Sequence, residues 1–388
     1  MARLLSLYLF ALAVTISTLA TDKHATNYIL PRLINGSVPS SSDHTLGYEA
    51  YDRAYNYPHN LTSYEWWYFD AVSSDGLSSV VIQPIVLGPP LGNGTQLRIQ
   101  LVFPNGSSIY REMDYLVDEP MYVSTKGDGS SGVIGGGDAS WVGQPDLGEY
   151  RLKLDLKDDD IRGTVTFLSN GSPFVACQEL SPEARTDLFW YLNWINLVPD
   201  AVALVDLKIG EERLAFTGNG YHDKNWGPYL FGSFIDQWYW GHGRAGPYSV
   251  VWFYLIPKAG GLAESKALGW VSKDGEVLYS AWGGGDDQDT ISVKPYGEGV
   301  EFPIPGPNMT SNIEGFDISF KCPYGEDGAD YAFRFTKKVY TQADLDQYAR
   351  WIGNIEGGPL AGGDGAAGNG NVTGSALCEQ MGPFFDLP

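Results

Sequence analysis

Polar and apolar residues alternate along most of this chain, in short runs separated by Gly, Pro, Asp and Asn. That texture predicts strands and turns. The densest run is Ser63–Asp70, SYEWWYFD. Alternation puts Glu65, Trp67 and Phe69 on one face and Trp66, Tyr68 and Asp70 on the other. With aromatics on both faces, this strand is expected to be buried on both sides or to line a cavity. Ser78–Leu87 reads as a second strand, and Gln96–Phe103 with Ser108–Tyr115 as a hairpin around Pro104, Asn105 and Gly106. Trp141–Val142, Glu149–Leu156 and Gly163–Phe167 continue the pattern, and the three carboxylates Asp158–Asp160 mark an exposed turn. The apolar block Leu188–Val198 fits either a strand or a short helix. Ala201–Ile209 and Arg213–Gly220 follow as a hairpin. After Pro228 the texture resets into further short strands, from Phe231–Trp240 to Tyr331–Tyr340, the pattern of a second sandwich or barrel. One segment breaks the rule. Thr341–Ile352 predicts a short C-terminal helix, with Thr341 as cap, Asp344 in a capping box, and Leu345, Tyr348 and Ile352 on one face.

The expected organisation is all-β, with two packed lipocalin-like β-barrel or β-sandwich domains. Residues 1–20 have the layout of a secretory signal peptide: Arg3, an apolar run from Leu4 to Leu19, and small residues Thr18 and Ala20 at the cleavage point. No second apolar stretch of that length follows, so no membrane insertion is expected. Residues 21–45 read as an extended arm, 46–228 as the N-terminal β domain and 229–388 as the C-terminal barrel. Seven Asn-x-Ser/Thr triplets, at Asn35, Asn60, Asn93, Asn105, Asn170, Asn308 and Asn371, fit a glycosylated chain in the secretory pathway. There are three cysteines; Cys322–Cys378 is the favoured pairing, leaving Cys177 as a buried thiol. A net charge of −22 argues against nucleic-acid and anionic-membrane partners. The 12 Trp, 24 Tyr and 17 Phe imply large apolar cavities with polar handles. The expected partner is therefore an apolar small molecule, bound by a monomer or homodimer.

Candidate chemistry concentrates in Gly218–Tyr229, GNGYHDKNWGPY. His222, Asp223, Lys224 and Asn225 place a titratable base, a carboxylate, a cation and an amide in consecutive positions. Gly218, Gly220 and Gly227 flank them and allow sharp or positive-φ backbone. The segment falls on the expected domain boundary, where small-molecule sites are favoured. A structural role is equally open, with Asp223 and Asn225 tying down backbone N–H groups at a hinge.

EWWYFD at Glu65–Asp70 and GYHDKNWG at Gly220–Gly227, in this order and about 150 residues apart, resemble the paired signatures of a lipocalin-like superfamily. It contains bacterial carotenoid 1,2-hydratases, hydroxyneurosporene synthase-like and AttH-like proteins, together with fungal Diels–Alderases of polyketide biosynthesis. The resemblance implies two lipocalin-like domains with a ligand cavity, no metal and no organic cofactor, and additions to or cyclisations of large apolar polyenes. With the signal peptide and sequons, the chain also looks like fungal hetero-Diels–Alderases of tropolonic sesquiterpenoid pathways, in which a tropolone alcohol loses water to a quinone methide. Lys224 stands where the hydratase form of the motif carries a second His or similar group, a departure from hydratase chemistry.

A pericyclic enzyme needs aromatic walls that fold the substrate, and donors that withdraw electron density. Trp66, Tyr68, Trp226, Trp238 and Trp240 are candidates for the walls, and Lys224, Tyr239 or Arg350 for the donors, with Arg350 and Trp351 closing the pocket. Dehydration would add an acid and a base, for which His222 with Asp223, or Asp70, are the candidates. Two other functions compete. A hydratase, dehydratase or isomerase on a terpene-like substrate would need a positioned acid and a water. A non-catalytic lipocalin-type carrier would need the aromatics without the clustered polar residues.

Overall fold

The structure, a computed structural model, describes residues 23–31, 42–59, 62–88, 94–116, 118–176, 178–189, 191–259, 264–283, 291–303, 312–321, 330–344, 348–360 and 372–383. The first part of the chain supplies β1 (Asn27–Leu30), β2 (Tyr64–Ser73), β3 (Ser79–Leu87), β4 (Gly94–Val102), β5 (Ser108–Leu116), β6 (Met121–Lys126), β7 (Gly129–Ile134), β8 (Ala139–Gly143), β9 (Glu149–Leu156), β10 (Ile161–Ser169), β11 (Asp187–Phe189), β12 (Leu192–Ile209) and β13 (Glu212–Gly227). The second part supplies β14 (Ile235–Ala245), β15 (Tyr248–Pro257), β16 (Lys266–Lys273), β17 (Glu276–Gly283), β18 (Ile291–Tyr296), β19 (Gly315–Phe320), β20 (Tyr331–Asp344), β21 (Tyr348–Pro359) and β22 (Val372–Met381). The fold is all-β: a curled 13-stranded sheet, and a nine-stranded sheet that nearly closes into a barrel. The chain crosses between them in residues 228–234.

Burial along each strand records what covers it. In β9, Tyr150, Leu152, Leu154 and Leu156 face a core while the intervening positions meet solvent. In β2 every residue is buried, because one face looks into the curl of the first sheet and the other onto the second sheet. β12 is buried throughout its first half and alternates thereafter, where it runs out from under the second sheet. Three apolar cores follow: one inside the first curl around Trp67, Phe69 and Trp141, one between the sheets around Trp66, Trp194 and Trp240, and one inside the barrel around Trp252, Phe316 and Trp351.

Two expectations are corrected here. Among the described residues of Thr341–Ile352 there is no helix; Tyr331–Asp344 and Tyr348–Pro359 are antiparallel strands, paired from Tyr331↔Pro359 to Asp344↔Tyr348. Pairing of β21 with β20 on one side and β22 on the other satisfies its backbone, and this tertiary context overrides a short helical spacing. Alternation then sends Arg350 and Ile352 toward the first sheet and Trp351 and Ile355 into the barrel core. The expected Cys322–Cys378 bridge is not formed, because Cys378 is a free thiol buried in the barrel core; Cys322 and Cys177 lie outside the described residues. Within the block Leu188–Val198, Leu188 and Phe189 belong to β11 and Leu192–Val198 to β12.

Asn105 and Asn170 are exposed, and Asn105 Oδ1 accepts from the backbone N–H of Ser107 at 2.9 Å. Asn35, Asn60, Asn93, Asn308, Asn371 and residues 1–20 lie outside the described residues.

Candidate active site

The two signature stretches lie side by side. β2 and β13 pair in one unbroken antiparallel register, with Trp66 opposite Asn225, Tyr68 opposite Asp223 and Asp70 opposite Tyr221. Because side chains alternate across a strand, this pairing splits both motifs. Glu65, Trp67, Phe69, His222, Lys224 and Trp226 turn into the first core, while Trp66, Tyr68, Asp70, Tyr221, Asp223 and Asn225 turn toward the second sheet. The flanking glycines serve close packing rather than positive φ. A Cβ on Gly227 would lie 1.8 Å from the Tyr191 carbonyl oxygen, and one on Gly218 1.9 Å from that of Val72.

The core-facing half is a sealed polar network. Lys224 Nζ donates to Glu65 Oε1 at 2.9 Å and to the Arg53 carbonyl, and lies 3.5 Å from the Trp67 ring centroid. Glu65 also accepts from the backbone N–H groups of Tyr55 and Asn56. The His222 ring stacks on Phe69 with centroids 3.9 Å apart, shares a hydrogen bond with the Tyr68 carbonyl at 2.9 Å and faces Asp52 at 3.5 Å. Burial pushes Lys224 down against the pull of Glu65 and Asp52. Burial would raise Asp52, but His222 and Lys224 outweigh it and hold it below the usual carboxylate range. Trp226 stacks on Tyr55 at 3.8 Å. His222, Lys224 and Trp226 therefore do not reach the cavity for which they were candidates.

The other half faces a cavity of about 800 Å³ between the sheets. Its apolar walls are Trp66, Ile85, Phe231, Trp238, Trp240 and Phe253, with Tyr64, Tyr68 and Met381 between them. Trp238 stacks on Phe231 at 5.0 Å and meets Phe253 edge-on at 5.1 Å. The mouth carries Leu230, the exposed Tyr110, and Arg98 paired with Glu112 at 2.9 Å. Inside, Arg350 donates from Nε and Nη2 to Glu379 Oε2 at 3.2 and 2.9 Å and from Nη1 to Gln100 Oε1 at 3.2 Å. Glu379 also accepts from Tyr348 OH at 2.8 Å and Trp238 Nε1 at 3.2 Å. Burial works against the Arg350 cation, but Tyr348, Tyr68 and Glu379 outweigh it and raise its pKa.

Asp223 sits on the cavity wall beside these groups. Its Oδ2 accepts from Trp194 Nε1 and from Tyr221 OH, both at 2.7 Å. Burial pushes its pKa up to about 8, against the pull of those two bonds and with help from Glu379 and Asp70. At neutral pH it is mainly a carboxylic acid. Two donors already point at Oδ2, so the proton belongs on Oδ1, where it can be donated into the cavity. Asn225 adds an amide whose Nδ2 donates to the Asn193 carbonyl at 3.1 Å.

Asp70 is displaced from the cavity. Both of its oxygens face His242 Nε2, at 2.8 and 3.0 Å, and the His242 ring stacks on Tyr221 at 4.4 Å. This contact joins β2 to β14 and supports the tyrosine that holds Asp223. Tyr239 and Trp351 turn into the barrel core and line no part of the cavity. Of the sequence candidates, the structure brings together Trp66, Tyr68, Asp223, Trp238, Trp240 and Arg350. Sequence reasoning missed Gln83, Gln100, Tyr348 and Glu379. Only Gln83 carried a local signal, as a polar residue inside the apolar run VVIQPIVL; Gln100 and Glu379 sit in strands with several other polar positions, and nothing local singles them out.

Comparison with known proteins agrees with this architecture. A Diels-Alderase-like family model matches residues 33–347. The quinolone epoxide rearrangement protein asqO of Emericella nidulans is 30% identical over 388 residues, covering 98% of this chain and 99% of the relative. The Diels-Alderase ORF3 of Pyricularia oryzae is 25% identical and covers 69% of each chain. Among solved structures, CghA with Sch210972 superposes with a TM-score of 0.74 over 92% of this chain and 98% of that one, at 17% identity, which speaks to fold alone. With its full-length relative and its matched model, the chain belongs to the Diels-Alderase-like family of enzymes.

Proposed function

We propose that this chain is a pericyclase that carries out a stereoselective Diels–Alder or hetero-Diels–Alder cycloaddition on an apolar polyketide or terpenoid. The observation that carries the reading is a carboxylic acid, Asp223, kept neutral on the wall of an aromatic cavity. The cavity is within the range that encloses a drug-sized molecule. Trp66, Trp238, Trp240 and Phe253 confine a flexible chain near its reactive fold, which lowers the entropic part of the barrier. Asp223 Oδ1–H donates to an oxygen on the electron-poor partner and lowers the energy of its acceptor orbital. The bonds from Trp194 and Tyr221 fix that donor before the substrate arrives.

The same acid supports a second reading, favoured by the full-length relative that rearranges a quinolone epoxide. Asp223 protonates the epoxide oxygen as a C–O bond breaks, a group or hydride migrates from the hydroxyl-bearing carbon to the cationic carbon, and the Asp223 carboxylate takes its proton back from the protonated carbonyl that results. Water loss from a tropolone alcohol follows the same accounting: Asp223 protonates the departing hydroxyl, and its carboxylate takes the ring hydroxyl proton as the quinone methide forms.

The test is a product assay with resolved stereochemistry against a no-enzyme control. One arm uses a tropolone alcohol with a humulene-type alkene, a second a polyene bearing a tethered carbonyl dienophile, and a third a quinolone epoxide. Accelerated formation of one cycloadduct stereoisomer supports the cycloaddition reading. Turnover of the epoxide alone replaces it with rearrangement, and background rates in all three arms count against both.

A further inference from the structure

The charged groups on the cavity wall are closed into pairs. Arg350 and Glu379 are register partners on β21 and β22, both buried, and meet at 2.9 Å. Arg98 and Glu112 are register partners on β4 and β5 and meet at 2.9 Å at the mouth. Among the described residues lining the cavity, these are the only two cations, and Asp223 is the only further carboxyl. Three donor groups converge on the two Glu379 oxygens, from Arg350, Tyr348 and Trp238. Gln100 takes a further Arg350 N–H. The phenols of Tyr64, Tyr68 and Tyr348 are pushed up by burial and stay neutral. The wall is therefore neutral when Asp223 is protonated and negative when it is ionised. In neither state does it offer a net positive charge to an incoming anion, which would give up its hydration without a counter-charge.

We propose that the cavity selects neutral apolar molecules bearing acceptor oxygens and rejects the corresponding carboxylates, with Glu379 setting this preference by neutralising Arg350. The proposal rests on the reading of the cavity as the substrate site. Glu379 is thus a specificity residue whose isosteric amide, E379Q, would remove the counter-charge of the buried guanidinium, which could then be supplied by a bound carboxylate.

The experiment is equilibrium binding of methyl retinoate and of retinoate to the full chain at pH 7, read by quenching of tryptophan emission. Trp66, Trp238 and Trp240 line the cavity and report on its contents. The wild-type chain is expected to bind the ester at least tenfold more tightly than the acid. In E379Q the acid is expected to gain at least tenfold while the ester changes less than threefold. Equal or tighter binding of retinoate by the wild-type chain would overturn the proposal without recourse to any variant. So would a folded E379Q with unchanged retinoate affinity. Binding of neither probe would instead remove the apolar-ligand reading on which the proposal stands, which keeps the two failures apart.

Discussion

Replacing Asp223 with Asn separates stability from chemistry at one atom. In the unfolded chain this carboxyl titrates near its ordinary value of 3.8, and in the folded chain near 8. Between those values the folded state holds one more proton than the unfolded state. Stability from this group is therefore complete below about pH 4, declines as pH rises, and is gone above about pH 8. The slope is roughly 1.4 kcal/mol per pH unit, so by pH 7 the wild-type chain has given up a few kcal/mol. The substituted amide cannot ionise, and its Oδ1 still accepts from Trp194 Nε1 and Tyr221 OH, turning an amide N–H toward the cavity. D223N is thus expected to match the wild type in stability near pH 4 and to exceed it near pH 8, in denaturant titrations run across that range.

Activity divides the two proposed chemistries in the same variant. If Asp223 only donates a hydrogen bond, an amide donor costs about 1 kcal/mol, a loss of about five- to tenfold. If it transfers a proton, the loss is on the order of 10²–10⁴. Wild-type turnover falls above about pH 8 in either case, because the protonated form is the active one. A D223N enzyme with wild-type turnover and a wild-type pH dependence of stability would show that Asp223 is neither a neutral acid nor a donor to the substrate.

Three further outcomes follow from the geometry. Lys224→Met strands Glu65 in the first core and is expected to cost roughly 3–5 kcal/mol of stability, while kcat, measured at a temperature where the variant is folded, stays near wild type; loss of kcat in a folded variant would give Lys224 a chemical role. Trp238→Ala removes a cavity wall and the donor to Glu379 Oε1; product assays are expected to show lower stereoselectivity and a raised KM. Burial holds the Cys378 thiol well above its ordinary pKa, so in a C177S/C322S background iodoacetamide is expected to label it only after unfolding, as read by intact mass.

The strand character of the chain was legible because alternation survives wherever one face meets solvent, as in β9. It was legible even in Ser63–Asp70, where both faces are buried and aromatic. The final hairpin was misread because Leu345, Tyr348 and Ile352 carry a helical spacing, while the strand decision is made by β22 and β20 pairing on either side of β21. The site was half legible. Two motifs rich in chemistry pointed to the right pair of strands, yet a run of consecutive polar residues on a strand cannot share a face. His222 and Lys224 were therefore bound to lie opposite Asp223. Which face held the cavity depended on the second sheet, and no local pattern in β13 encodes where that sheet docks. Arg350 was named for the wrong reason, as the end of a helix; its partner Glu379 enters from a strand that local spacing does not connect to it.

The proposed chemistry requires Asp223 to be a neutral acid on the cavity wall at physiological pH. The most direct measurement is the infrared difference between wild type and D223N, titrated from pH 5 to pH 9. A protonated carboxyl band is expected at pH 6, lost with a midpoint near 8. A carboxylate band already present at pH 5, with no protonated form to titrate, would contradict it.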